Sequence, residues 1–146
     1  MRVIADAGPL VAAVNRRDQA HALAAELVTR IGHNLVVPEP VIVEVDQLAR
    51  ARVGGHAARR FLAALDAGEH EIAYLSPGIF RRAIEIDHRY ADLDLGLADA
   101  SVMALAERRR LPILTFDFEH FRATRPPQGY WRLVVDEARY AESTGR

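Results

Sequence analysis

The sequence predicts an α/β fold: one domain in which a mainly parallel central sheet is flanked by helices on both faces. Three observations predict it. Short apolar runs alternate with segments of helical period from Arg2 to Val135, the pattern of βαβ units. No internal repeat and no linker interrupts the 146 residues, a length that suits one domain. Half of the residues are hydrophobic, enough to build a core without covalent staples.

Taken in order, Arg2–Asp6 (RVIAD) is a short apolar run ending in an acid and reads as a buried strand. A helix follows from Pro9 to Val14, with proline tolerated in its first turn. Asp18 caps a second helix through Ile31, whose stripe is Leu23, Leu27, Val28 and Ile31. Leu35–Val37 is the second strand. Pro40 opens a helix with Val41, Val45 and Leu48 on one face, and Gly54-Gly55 separates it from another through Phe61, Leu62 and Leu65. Glu71–Leu75 is the third strand. Ser76-Pro77 places a capping hydroxyl before a proline, so a helix runs to about Tyr90. Residues 91–96 form a loop, Leu97–Arg109 a helix and Leu111–Phe116 the fourth strand. Tyr130–Val135 is a candidate fifth strand. The domain is read as 1–136, and the polar tail 137–146 is expected to fray.

Composition narrows the function. There is no cysteine, which excludes disulfides, thiolate metal sites and cysteine nucleophiles. The formal net charge is −1, so total charge does not drive a coat on nucleic acid, although a local basic patch stays open. All 19 basic residues are arginine, a bias read as genomic base composition. No run approaches the roughly 18–20 apolar residues of a membrane span. Asp6 and Pro9 interrupt the apolar N-terminal stretch, which lacks a basic leader and a cleavage site. The expectation is a cytoplasmic protein with no signal peptide. There is no G-x-S-x-G elbow, G-x-G-x-x-G or Walker A sequence, so serine hydrolase, dinucleotide and NTP chemistry are unsupported.

Four acids carry the functional signal. Ligands of parallel sheets bind beyond the carboxyl ends of strands, where Asp6 and Asp117 (LPILTFD) fall. Glu44 lies at the edge of the Val41/Val45/Leu48 stripe, whereas Asp46 is about 160° round the helix from it. Asp99 sits in the first turn of its helix, where the dipole favours a carboxylate regardless of function. Each acid alone has a plain reading as a turn former, cap or solvated side chain. Together they can converge on one pocket, and converging carboxylates repel unless a cation is bound. An oxygen-only set without cysteine points to Mg²⁺ or Mn²⁺ rather than zinc, and to metal-assisted hydrolysis at a phosphate.

The residues also carry a resemblance. VIADAGPLVA, PEPVIVEV, YADLDLGLADASVMALAERRRLPILTFD and the following FEHF resemble, in order, the motifs of PIN-domain ribonucleases, and more narrowly the VapC-type toxins of bacterial type II toxin–antitoxin systems. The resemblance implies a PIN-like fold and metal coordination by Asp6, Glu44, Asp99 and Asp117. It implies one or two Mg²⁺ or Mn²⁺ ions and in-line attack by water, leaving 5′-phosphate and 3′-hydroxyl ends. A cognate VapB-type antitoxin, an RNA substrate and a homodimer are the implied partners. Thr115 matches a hydroxyl position near the family site, although threonine is also simply a good strand former. Asp92 and Asp94 are candidates for an auxiliary acid, or plain loop acids. The chain departs from the pattern after Glu44 (VDQLARARVGG). A housekeeping nuclease without an antitoxin and a non-catalytic binding module of the same fold remain alternatives. A haloacid dehalogenase-type phosphatase needs Asp-x-Asp where this chain has Asp6-Ala7-Gly8.

The other residues attract plainer expectations. His21, His33, His56, His70, His88 and His120 form no metal-type pair and read as surface residues. Arg108–Arg110 reads as a helix C-terminal cap, with RNA phosphate contact as the alternative. Arg50/Arg52, Arg59-Arg60 and Arg81-Arg82 are of the same kind. Tyr130 and Trp131 read as core.

Overall fold

The computed structural model describes residues 1–145. Its four strands are β1 (Val3–Ala5), β2 (Leu35–Pro38), β3 (Glu71–Ala73) and β4 (Ile113–Leu114). They form one all-parallel sheet in the order β3-β2-β1-β4. The helices are α1 (Ala7–Val14), α2 (His21–Ile31), α3 (Glu39–Arg52), α4 (Gly55–Asp66), α5 (Pro77–Arg89), α6 (Gly96–Arg109), α7 (Phe118–Ala123) and α8 (Glu137–Thr144). Two crossovers step outward from β1 to β3, and the third returns across the sheet to β4. Right-handed crossovers then put helices on both faces. The reversal of strand order makes a switch point between β1 and β4.

The core sits on the sheet and against α6. Ile4, Leu35, Val36, Val37, Ile113 and Leu114 are fully buried, as are Leu27, Val41, Val45 and Met103 on the helices. Every residue of α6 from Ala100 to Ala106 is buried, so this helix is enclosed all round rather than amphipathic. Its alanines let neighbouring elements approach closely.

Local chemistry sets most boundaries. Ser76 Oγ accepts the Ile79 N–H at 3.2 Å and starts α5. Gly54 at φ 138° breaks the path between α3 and α4, a backbone that β-carbon-bearing residues resist. Asp18 closes a turn by accepting the Ala20 N–H at 2.8 Å, so α2 starts at His21, later than a cap at Asp18 implies. β3 and β4 are shorter than their apolar runs.

Two expectations are corrected. Tyr130–Val135 is not a strand: it contributes a single parallel bridge, Leu133 with Ile113. Two backbone hydrogen bonds hold it there, after which the chain turns away to enter α8. Residues 137–144 do not fray; they form α8. Asp136 accepts the Arg139 N–H at 2.8 Å as its cap. The Tyr140 ring packs 4.7 Å from Phe116 and 5.5 Å from Phe118. Arg146, the end of the tail, lies outside the described residues. The short helix α7 has no counterpart among the sequence-derived elements. Among the described residues no helix is long and apolar enough to cross a membrane.

Candidate active site

Asp6 ends β1 and caps α1. Its carboxylate is buried, with Oδ1 accepting the Ala7 N–H at 2.9 Å and Oδ2 accepting the Thr115 hydroxyl at 2.7 Å. The pairing of β1 with β4 explains the second contact. Ala5 lies opposite Leu114, and the Asp6 N–H reaches the Leu114 carbonyl at 2.9 Å, so the next residues of the two strands are neighbours. Thr115 Oγ1 in turn accepts the Asp117 N–H at 3.0 Å. One hydroxyl therefore joins two acids 111 positions apart in sequence.

Asp117 caps α7. Its Oδ1 accepts the His120 N–H at 3.1 Å, and its Oδ2 lies 2.7 Å from His120 Nδ1. That same nitrogen lies 3.0 Å from Asp99 Oδ2. The imidazole thus sits between two carboxylates, one from α6 and one from the start of α7. Ligand atoms of Asp99, Asp117 and His120 lie within 4.8 Å of one another.

The acids act on one another electrostatically. Burial raises the Asp6 carboxyl above its ordinary range, and the Asp117 charge adds to the rise. Burial followed by the Asp6 charge raises Asp99 to about 7, against the lowering effect of its hydrogen bond to His120. Burial and then the Asp6 charge raise Glu44, which lies on α3. Burial alone would lower His120. Its hydrogen bond to Asp99 and the charges of Asp117, Asp99 and Glu119 outweigh that and raise it.

The structure therefore brings Asp6, Asp99, Asp117 and Thr115 into one network at the switch point and sets Glu44 within reach of the Asp6 field. It does not bring Asp92 and Asp94 into this network. They lie exposed on the 3₁₀ turn Ala91–Leu93 and its cap, with Asp94 left-handed at φ 51°. Asp46 pairs with Arg50 on α3 at 3.0 Å, consistent with its position away from Glu44.

The surface reading of His120 is wrong: it is a member of the cluster. The group of potential ligand atoms therefore includes an imidazole nitrogen, here engaged by the Asp99 and Asp117 carboxylates. A signal was present, because a residue three after an N-cap acid lies over that acid once a helix forms. His33, His56 and His88 are exposed. His21 and His70 instead bond the carbonyls of Ala12 and Gly32 at 2.9 and 2.7 Å. Tyr130 is also misplaced as core: it is 77% exposed. Trp131 is half-buried, edge-on to Phe121, and donates to Thr124 at 3.0 Å.

Mutually repelling, partly desolvated carboxylates beside one imidazole make a site that gains from a hard divalent cation. A sheet with this strand order, and acids gathered at its switch point, defines a class. The chain belongs to the PIN-domain family, whose model matches residues 3–125.

Individual relatives follow. The chain is 35% identical over 128 residues to Ribonuclease VapC26 of Mycobacterium tuberculosis (strain ATCC 25618 / H37Rv), covering 87% of this chain and 95% of that protein. In fold it matches the crystal structure of Mycobacterium tuberculosis VapC20, a Sarcin-Ricin loop cleaving toxin. The TM-score is 0.72 at 19% identity, over 81% of this chain and 93% of the other. It also matches a toxin–antitoxin complex from Klebsiella pneumoniae, with a TM-score of 0.62 at 22% identity over 82% and 89% of the two chains.

Proposed function

We propose that this protein is a metal-dependent endoribonuclease that hydrolyses RNA phosphodiester bonds and acts as the toxin of a toxin–antitoxin pair. The observation that carries this reading is the network of Asp6, Thr115, Asp99, Asp117 and His120 at one switch point, with Glu44 close enough to feel the Asp6 charge. Membership of the PIN-domain family and the likeness to a named ribonuclease support it.

The carboxylates of Asp6, Asp99, Asp117 and Glu44 would hold Mg²⁺ or Mn²⁺. When bound, such an ion supplies a nucleophilic water at neutral pH and offsets charge on a phosphate. The protein's own residues provide the rest. Thr115 fixes the Asp6 carboxylate through its proton and the Asp117 backbone through its lone pair. His120 holds the Asp99 and Asp117 carboxylates together, so they do not splay apart. Attack in line leaves 5′-phosphate and 3′-hydroxyl ends. The partners in this reading are a cognate VapB-type antitoxin and a second copy of the chain in a homodimer, and the compartment is the cytoplasm.

The test uses antitoxin-free protein and total bacterial RNA, with Mg²⁺, with Mn²⁺ and with EDTA, alongside Asp99→Asn. The expected result is discrete, metal-dependent fragments bearing 5′-phosphates. Asp99→Asn should lose more than the roughly 10–100-fold that outer-shell partners of a metal contribute. Cleavage by that variant at the wild-type rate would overturn the assigned site.

A further inference from the structure

We propose that the C-terminal end of α6 carries a second RNA-contact surface, a phosphate-binding cleft remote from the acidic cluster; this rests on the ribonuclease reading. A cleft of about 480 Å³ opens between the start of α5 and the end of α6, and Arg81, Arg82, Arg108 and Arg110 line it. A second cleft of about 300 Å³ adjoins it, sharing Arg110 and Gln128 and adding Tyr130 and Arg132.

Partner accounting separates structural arginines from available ones. Arg82 is held by Glu107 and Glu85. Arg109, pointing elsewhere, pairs with Glu71 at 2.7 Å. Arg132 donates to the Arg110 carbonyl at 2.5 Å. Arg81, Arg108 and Arg110 are exposed, and among the described residues their guanidinium groups have no ion-pair partner. Nor does the Arg110 side chain cap the helix. The backbone does so, with Arg110 left-handed at φ 55° and its N–H on the Ala106 carbonyl. Helix capping therefore leaves these side chains unexplained.

Their chemistry fits a strand of nucleic acid. Guanidinium groups bind phosphates in bidentate fashion. The exposed Tyr130 ring, with the Arg125 guanidinium 4.6 Å from its centroid, is a planar platform of the kind on which unpaired bases stack. The whole chain carries a net charge of only −1, so this surface is a local asymmetry against an acidic centre. Asp99 and Arg108 lie nine residues apart on one helix, about 14 Å along its axis. An RNA touching both must span several nucleotides. The surface thus favours long RNA over short fragments of the same sequence at the cleavage site.

The probe pair is a labelled single-stranded RNA of about 20 nucleotides and a dinucleotide, bound by full-length Asp99→Asn protein, which limits cutting. Three neutralising changes, Arg81→Gln, Arg108→Gln and Arg110→Gln, are combined and compared with the corresponding Arg→Lys set. Three lost phosphate contacts should reduce the slope of log affinity against log salt by about 2 for single-stranded RNA. The 20-mer should bind roughly tenfold more weakly at moderate salt, while the dinucleotide is unaffected and the lysine set retains most of the affinity. An unchanged 20-mer affinity and salt slope overturns the proposal. So does a loss confined to binding of polyglutamate, which would mark the surface as a protein-docking site. Failure of the ribonuclease reading shows separately, as absence of metal-dependent RNA cleavage by the wild-type protein.

Discussion

Thr115 has one proton to give, and it goes to Asp6 while the lone pair takes the Asp117 N–H. Thr115→Val keeps the shape and removes both bonds, leaving a buried carboxylate oxygen and an amide short of a partner. The expected cost is about 1–3 kcal/mol, read by urea unfolding, with Mn²⁺ affinity reduced about 10–100-fold by calorimetry. An unchanged Mn²⁺ affinity would make Thr115 only a strand residue. The acids predict an unusual pH dependence. Asp99 is raised to about 7, and Asp6, Glu44 and His120 are raised as well. The metal-free fold therefore holds protons that the unfolded chain releases, and its stability must fall as pH rises through this range. In EDTA, Tm should decrease from pH 5 to pH 8 at constant ionic strength, and Asp99→Asn should flatten the curve. Saturating Mn²⁺, which binds the deprotonated acids, should stabilise more at pH 8 than at pH 5. A Tm in EDTA that rises steadily over this interval would contradict the assigned shifts.

At the scale of elements, α8 acts on the site through its aromatic contact. Phe116 and Phe118 flank Asp117, and the Tyr140 ring touches both. The helix thus anchors the turn that presents the acid. Tyr140→Ala should cost about 1–2 kcal/mol, less than a fully buried aromatic, and should weaken Mn²⁺ binding. Tyr140→Phe should do neither, since the contact is between rings. Thermal unfolding and metal titration of the two variants read this directly. The polar composition of residues 137–144 hid the helix. Its Asp136 cap and the lone Tyr140 become interpretable only once the aromatic pair at 116 and 118 is seen to face them. For the same reason the candidate strand at 130–135 collapses to one bridge. Its β-like composition is real, but β4 offers only a short edge before the chain must turn into α8.

For the whole molecule, the gathered acids couple metal binding to folding. A ligand that binds only the folded state at 100 times its Kd stabilises it by about 2.7 kcal/mol. For a chain of this length that is a Tm rise on the order of 5–10 °C. Mn²⁺ should raise Tm accordingly, EDTA should reverse it, and Asp99→Asn should abolish most of it. An identical shift in wild type and variant would place the cation elsewhere.

What the sequence by itself determined is local. Alternating apolar runs and helical periods specified a parallel α/β sheet. Proline, glycine and serine signals marked the starts of α3 to α5. Strand-end and first-turn positions singled out Asp6, Asp99 and Asp117, and helical phase separated Glu44 from Asp46. Only the tertiary structure decided what those acids touch. The pairing of β1 with β4 set Thr115 against Asp6. A short helix invisible to periodicity swung His120 between Asp99 and Asp117. Packing left Tyr130 and three arginines facing solvent. Spacing along a chain encodes backbone conformation, because its forces act over a few residues. Hydrogen bonds and charge coupling between residues 6, 99 and 117 depend on distances through space, which exist only after the sheet has closed.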